Sequence, residues 1–299
     1  MSCINEHSYL TLCNLLCDQI ALSLPPDKAY LAEARLQNLA RQHTHGDINA
    51  LIEKASTVAD DALRIELVEA MAISETYFFR DPILSESFLG TMIPALLEKR
   101  RVDRTLRIWI AACSTGQEAY SVAMLLDQHF PQLKDWQLTL VASDFSQSAL
   151  NKAQQGCYGL NEMNRGLPAR NMALYFEQQG LDWQIKPAIR ERISFQKINL
   201  VREWPDSLPV FDIVLLRNVL LYFSMEDRQR VLSRVRKQTA SDGYLLLGST
   251  ESLEKSAGFA PAIPGSHRPL YQPAWRCPYG DAIATRHAVT ENCPYRRQC

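Results

Sequence analysis

The sequence predicts an α/β fold, a doubly wound parallel sheet preceded by a run of helices. Two observations predict it. From Arg107 onward, short apolar runs (Ile108–Ala112, Leu138–Ala142, Phe211–Leu216 and Tyr244–Leu247) alternate with longer amphipathic stretches such as Glu118–Phe130. A strand that is apolar at every position is buried on both faces, the condition of a parallel sheet covered by crossover helices. Residues 1–80, by contrast, carry only helical spacing. Leu63, Leu67, Ala70 and Met71 fall at i, i+4, i+7 and i+8, and Ala32, Leu36, Leu39 and Ala40 form a similar stripe.

The elements follow in order. Pro25-Pro26-Asp27 is a start signal for the second helix, and Thr44-His45-Gly46-Asp47 a loop after it. The change of texture divides the chain into a helical domain over 1–85 and an α/β domain over 86–275. Within the latter, the helical pattern stops near Gly180, and LDWQIKPAIRERISFQKI follows. That stretch is expected to be a small antiparallel insertion at about 175–198, ending in the strand Ile193–Ile198. Residues 276–299 have few large apolar side chains and no periodicity, and are expected to be a disordered tail.

Composition narrows the function. Hydrophobic residues make up 46% of the 299, enough for a sizeable core. A net charge of −1 argues against a general nucleic-acid binder. No apolar run reaches the roughly 20 residues of a membrane span, and MSCINEHSYL lacks the basic-then-apolar order of a secretory leader. The eight cysteines are then expected to be reduced, in the cytoplasm. They offer no paired zinc spacing, so no metal is expected.

Five segments carry polar groups where a ligand crevice would lie. Ala112-Cys113-Ser114-Thr115-Gly116 is a small turn between a strand and a helix, with one glycine and so no dinucleotide fingerprint. Glu118 lies in the first turn of the following helix; it either complements the helix dipole or meets a cationic, amine-bearing ligand. Asp144 ends the next strand, where a carboxylate accepts both hydroxyls of a ribose, or caps a helix beginning near Ser146. Ser74-Glu75-Thr76-Tyr77-Phe78-Phe79-Arg80-Asp81-Pro82 joins the two domains; Thr76 and Arg80 face the ligand, or Phe78 and Phe79 simply pack the junction. Arg217-Asn218, with Tyr222 beyond, closes the strand Phe211–Leu216.

In their order, SETYFFRDP, AACSTGQEAYS, VASDFSQSALNKAQQGCY, FQKINL, FDIVLLRNVLLYF and LLLGSTESL resemble the CheR family, the glutamate methyltransferases of chemotaxis receptors, over about residues 10–273. The resemblance implies a Rossmann-like S-adenosylmethionine-dependent methyltransferase domain, an N-terminal all-α domain and a small antiparallel β-subdomain. It implies cofactor contacts from Ser74, Thr76, Arg80, Glu118, Asp144, Asn199, Leu200, Arg217 and Asn218, with Arg80 and Tyr222 at the reacting end. Ser74 stands where the family usually has Asn. The product would be S-adenosylhomocysteine and the partner the cytoplasmic domain of a methyl-accepting chemoreceptor, met by a monomer. Gln178–Trp183 is short with one glycine, which argues against tethering by a receptor pentapeptide. Residues 1–75 hold eleven acidic and five basic side chains; Lys28, Arg35 and Arg41 on the second helix form the basic face left for receptor docking, or an ordinary solvated face. Two other readings of these residues stay open: a methyltransferase for another substrate, and a non-catalytic binding module on the same fold.

Overall fold

The computed structural model describes residues 4–57, 61–253, 258–276 and 283–285. Four helices open the chain: α1 (Glu6–Ile20), α2 (Ala29–His43), α3 (Ile48–Ser56) and α4 (Asp61–Met71). Their ends follow local chemistry. Asn5 caps α1 by accepting from the Ser8 N–H, and Asp47 caps α3 by accepting from Asn49 and Ala50. Leu12, Leu16, Ala32, Leu36, Leu51, Leu63 and Leu67 interlock into a core separate from that of the sheet. Each fully buried Leu contributes roughly 1.5–3 kcal/mol.

The rest alternates strands and helices. α5 (Pro82–Ser87) runs through one wide turn into α6 (Ile93–Lys99). Then come β1 (Thr105–Ala111), α7 (Gln117–His129), β2 (Gln137–Asp144) and α8 (Gln147–Gln155). A small excursion follows: β3 (Cys157–Gly159), α9 (Leu160–Met163), α10 (Ala169–Tyr175), β4 (Phe176–Gln179), β5 (Asp182–Ile185) and α11 (Pro187–Arg190). The chain re-enters the main sheet with β6 (Ile193–Lys197), then β7 (Phe211–Leu216), α12 (Met225–Gln238), β8 (Thr239–Leu247), β9 (Phe259–Pro261), β10 (Leu270–Arg276) and β11 (Ile283–Thr285).

The main sheet has the order β11-β10-β8-β7-β1-β2-β6, with β9 also on β10. The strands from β8 to β6 are parallel, and β10 runs against β8. Fold class is therefore as expected. The apolar runs are buried on both sides: Ile108 and Ile110 face one core, Trp109 and Ala111 the other. The chain leaves β1 for β2 on one side and returns to β7 on the other. This reversal opens a crevice at the carboxyl ends of β1 and β7, where ligands of open α/β sheets bind.

One expectation is corrected. The small antiparallel sheet is β3-β5-β4, so it begins at Cys157 and ends at Ile185. Ile193–Lys197 is no part of it: it pairs in parallel with β2, with Ile193 opposite Leu140. As an edge strand β6 is only partly covered, and its mixed burial imitates a hairpin strand. Of the expected tail, Ile283–Thr285 forms the short strand beside β10; residues 277–282 and 286–299 lie outside the described residues.

Candidate cofactor site

A cavity of about 340 Å³ lies at the reversal, walled by both the helical segment and the carboxyl ends of the strands. That volume is within the range of small-molecule sites. The turn after β1 forms its floor. Three of its five residues adopt left-handed backbone, Ala112 (φ 57°), Ser114 (φ 50°) and Gly116 (φ 94°). Such conformations cost non-glycine residues on the order of 1 kcal/mol each and concentrate at functional sites. At Gly116 a side chain is impossible: a Cβ would stand 2.8 Å from that of Ala153.

Asp144 fixes this turn. Its Oδ2 accepts from the Ser114 N–H at 2.8 Å and its Oδ1 from the Ser146 N–H at 3.0 Å. Ser146 itself caps α8 by accepting from Ala149, so Asp144 is not the cap. Burial pushes the Asp144 carboxyl up in pKa, and the backbone N–H groups oppose the shift.

Across the crevice, Arg217 ends β7 with a side chain only 1% exposed. It donates to Glu118 at 2.5 Å and forms a second short ion pair with Asp81. Glu118 therefore already has a protein cation, a partner beyond the helix dipole and the ligand that its sequence position offered. Burial raises the Glu118 pKa, Arg217 opposes this, and Asp81 adds to it. The Arg217 Nε and the Asn218 Oδ1 are buried without a hydrogen-bond partner among the described residues. Both residues line the cavity.

Ser74, Thr76 and Arg80 line the cavity from the connecting loop. The Ser74 carbonyl accepts from the Ser114 hydroxyl at 2.9 Å. Arg80 donates to the Glu75 carbonyl at 3.0 Å and forms no ion pair among the described residues. Asn199 and Leu200 reach the cavity, but the Asn199 amide is spent on the Gln19 carbonyl of α1 at 2.8 Å and on the Val201 N–H. Tyr222 lines the same cavity, and its hydroxyl makes no hydrogen bond among the described residues. The three basic residues of the expected docking face have different surroundings. Arg35 donates to the Met71 and Ala72 carbonyls at the end of α4, Lys28 stands 3.5 Å from Asp27, and Arg41 is exposed.

Two site residues escaped the sequence reading. Asp81 pairs with a residue 136 positions away, a relation without local signature. Glu251 holds the turn after β7 by accepting from the N–H groups of Asn218, Val219, Leu221 and Gly248 at 2.6–3.3 Å. Its only signal was its place in the LLLGSTESL segment. No cluster of three or more His, Cys, Asp or Glu suited to a metal occurs among the described residues, and no described helix is long and apolar enough to cross a membrane.

Comparison with known proteins decides the family. Residues 74–267 match the CheR methyltransferase, SAM binding domain. The chain belongs to the CheR methyltransferase family. It is 38% identical over 235 residues to chemotaxis protein methyltransferase 1 of Pseudomonas aeruginosa, covering 77% of this chain and 84% of that one. It is 36% identical to chemotaxis protein methyltransferase Cher2 of Pseudomonas putida over the same shares, and 32% identical over 254 residues to chemotaxis protein methyltransferase 1 of Vibrio cholerae, covering 84% of this chain and 90% of that one. By this membership it is an S-adenosylmethionine-dependent methyltransferase.

The CheR-family cavity suits that cofactor on its own evidence. Ile20, Leu22, Phe145 and Leu200 offer apolar surface for an adenine. Asp144 supplies an acceptor for vicinal hydroxyls.

Proposed function

We propose that this protein methylates glutamate side chains on the cytoplasmic helices of a chemoreceptor, as a protein-glutamate O-methyltransferase. The observation that carries the reading is Arg80, a cavity-lining guanidinium met by no carboxylate among the described residues. A cation left unneutralised at a cofactor cavity suits an anionic substrate group. In this reading Ser74, Thr76, Glu118, Asp144, Asn199, Leu200, Arg217 and Asn218 hold the cofactor, and Arg80 and Tyr222 meet the substrate. When bound, S-adenosylmethionine supplies a methyl group activated by a positively charged sulfur.

The protein's own part is positioning. A glutamate carboxylate, with an ordinary pKa of about 4.3, is ionised at neutral pH, so no side chain need remove a proton. Arg80 orients one carboxylate oxygen, the free Tyr222 hydroxyl donates beside it, and the two-walled cavity excludes water. The chain acts as a cytoplasmic monomer. The short hairpin tip at Gly180 argues against holding a receptor tail peptide, so recognition rests on the helical segment, with the exposed Arg41 as its unpaired cation among the described residues.

The test is tritiated methyl transfer to a chemoreceptor fragment. Base-labile label on protein is expected. Arg80→Ala and Tyr222→Phe should each lower kcat at least about tenfold with unchanged thermal stability, the scale of a lost charged or hydroxyl contact. Wild-type rates in both variants would remove the reading.

A further inference from the structure

Arg80 forms no ion pair among the described residues, although an acid is close in sequence. Glu75 lies five residues earlier in the same loop, and its carbonyl already holds the Arg80 guanidinium. Its side chain, however, is paired with Arg165 by a short ion pair. Arg165 belongs to the excursion that carries the small sheet, just past α9. Its guanidinium also stands 4.5 Å from the centre of the Tyr77 ring, while Arg80 lies 5.6 Å from the same ring. The two cations share one aromatic platform and compete for one acid.

The place of Arg165 is set by backbone, not by its own long side chain. Gly166 has φ +84°, and a Cβ there would come within 2.0 Å of the Phe78 carbonyl oxygen. Only glycine lets the excursion press this closely on the loop holding Thr76 and Arg80. The guanidinium is thereby delivered beside Glu75 and Tyr77 whenever the small sheet is folded.

We propose that Arg165 is a positioning residue for methyl transfer: it holds the Glu75 carboxylate away from Arg80 and so keeps the Arg80 guanidinium available for the substrate carboxylate. This rests on the reading that Arg80 meets that carboxylate. Without Arg165, the Glu75 carboxylate, which already feels the charge of Arg80, is free to neutralise it. The Glu75 carboxyl is held below its usual pKa by the hydrogen bond and charge of Arg165, with Arg80 contributing least, as expected of an acid shared unequally between two arginines. Both members of the pair are about half exposed, with side chains 51% and 58% accessible, so the effect is modest.

A double-mutant cycle tests this, using a helical chemoreceptor fragment that the wild-type protein methylates. Arg165→Ala should lower kcat/KM for the fragment roughly fivefold, the scale of one exposed ion pair joined to one ring-stacked cation. Calorimetry should give an unchanged Kd for S-adenosylmethionine. In a Glu75→Gln background the same Arg165→Ala change should cost less than about twofold, because the competing charge is gone. Arg165→Lys, which keeps a cation for Glu75, should retain most activity. Equal losses from Arg165→Ala in both backgrounds, or none in either, would overturn the proposal and leave Arg165 as a loop staple. Failure of Arg80→Ala to lower transfer would instead overturn the reading of Arg80 itself.

Discussion

Each end of β7 carries an arginine between two carboxylates, and the two triads have opposite characters. At the start of the strand, Arg100 bonds Asp212 at 2.9 and 3.1 Å and Asp242 at 2.6 and 2.9 Å. Asp212 also accepts from the Arg107 N–H at 2.9 Å, so the triad ties α6, β1, β7 and β8 together. At the far end, Arg217 joins Glu118 and Asp81 but leaves its Nε without a partner. The first triad is complete and partly exposed. The second is more deeply buried, incomplete and faces a cavity. Similar side chains thus make a lock where their bonding capacity is used up, and a cavity wall where some is withheld.

Removing the central cation should separate the two. Arg217→Met leaves two largely buried carboxylates without their shared cation. We expect a loss of about 3–5 kcal/mol in denaturant unfolding, and at least about a hundredfold weaker cofactor binding by calorimetry. Arg100→Met strands one buried acid and one partly exposed acid. We expect about 2 kcal/mol lost from stability, discounted for exposure, with cofactor affinity unchanged. Equal affinity losses in both variants would break the comparison.

Acid should act on the two ends in turn. Burial raises the pKa values of Asp144 and Glu118, so these groups take up protons above the ordinary carboxylate range. Protonation favours the folded state at these two sites, and that contribution fades as pH rises through their raised values. In the proposed reading it removes charge that the cofactor would meet, so affinity should fall as pH drops through those raised values. The hydrogen bond from Arg100 holds Asp242 below its usual pKa. Its contribution to stability is present above the ordinary carboxylate range and is lost only as pH falls through the lowered value. Cofactor titration and unfolding across this range should show affinity failing first; coincident losses would contradict the assignment of the two ends.

What the sequence displayed and what it hid divide along physical lines. Leu138–Ala142 and Phe211–Leu216 announce themselves because burial on both faces forces every position to be apolar. Asp144 and Glu118 stand out because each follows a strand or glycine turn at a fixed offset. The three-residue strand β3 is too short to carry a period, and its partner β5 lies more than 20 residues later. β6 is masked by its place at the edge. Asp81, Arg165 and the Asn199–Gln19 bond depend on meetings between distant residues, which no local pattern encodes. Side-chain direction was equally invisible: three basic residues on one helix read as a patch, yet Arg35 is committed to the end of α4.

The seam between the helices and the sheet also bears on what counts as a unit. The family match begins at Ser74, but Glu69 of α4 accepts from the Gln147 and Ser148 N–H groups at the start of α8, and Gln19 receives the Asn199 amide. A chain cut at Ser74 would leave those donors open to water and remove Ile20 and Leu22 from the cavity wall. The segment that the family model matches is therefore smaller than the object that walls the cavity.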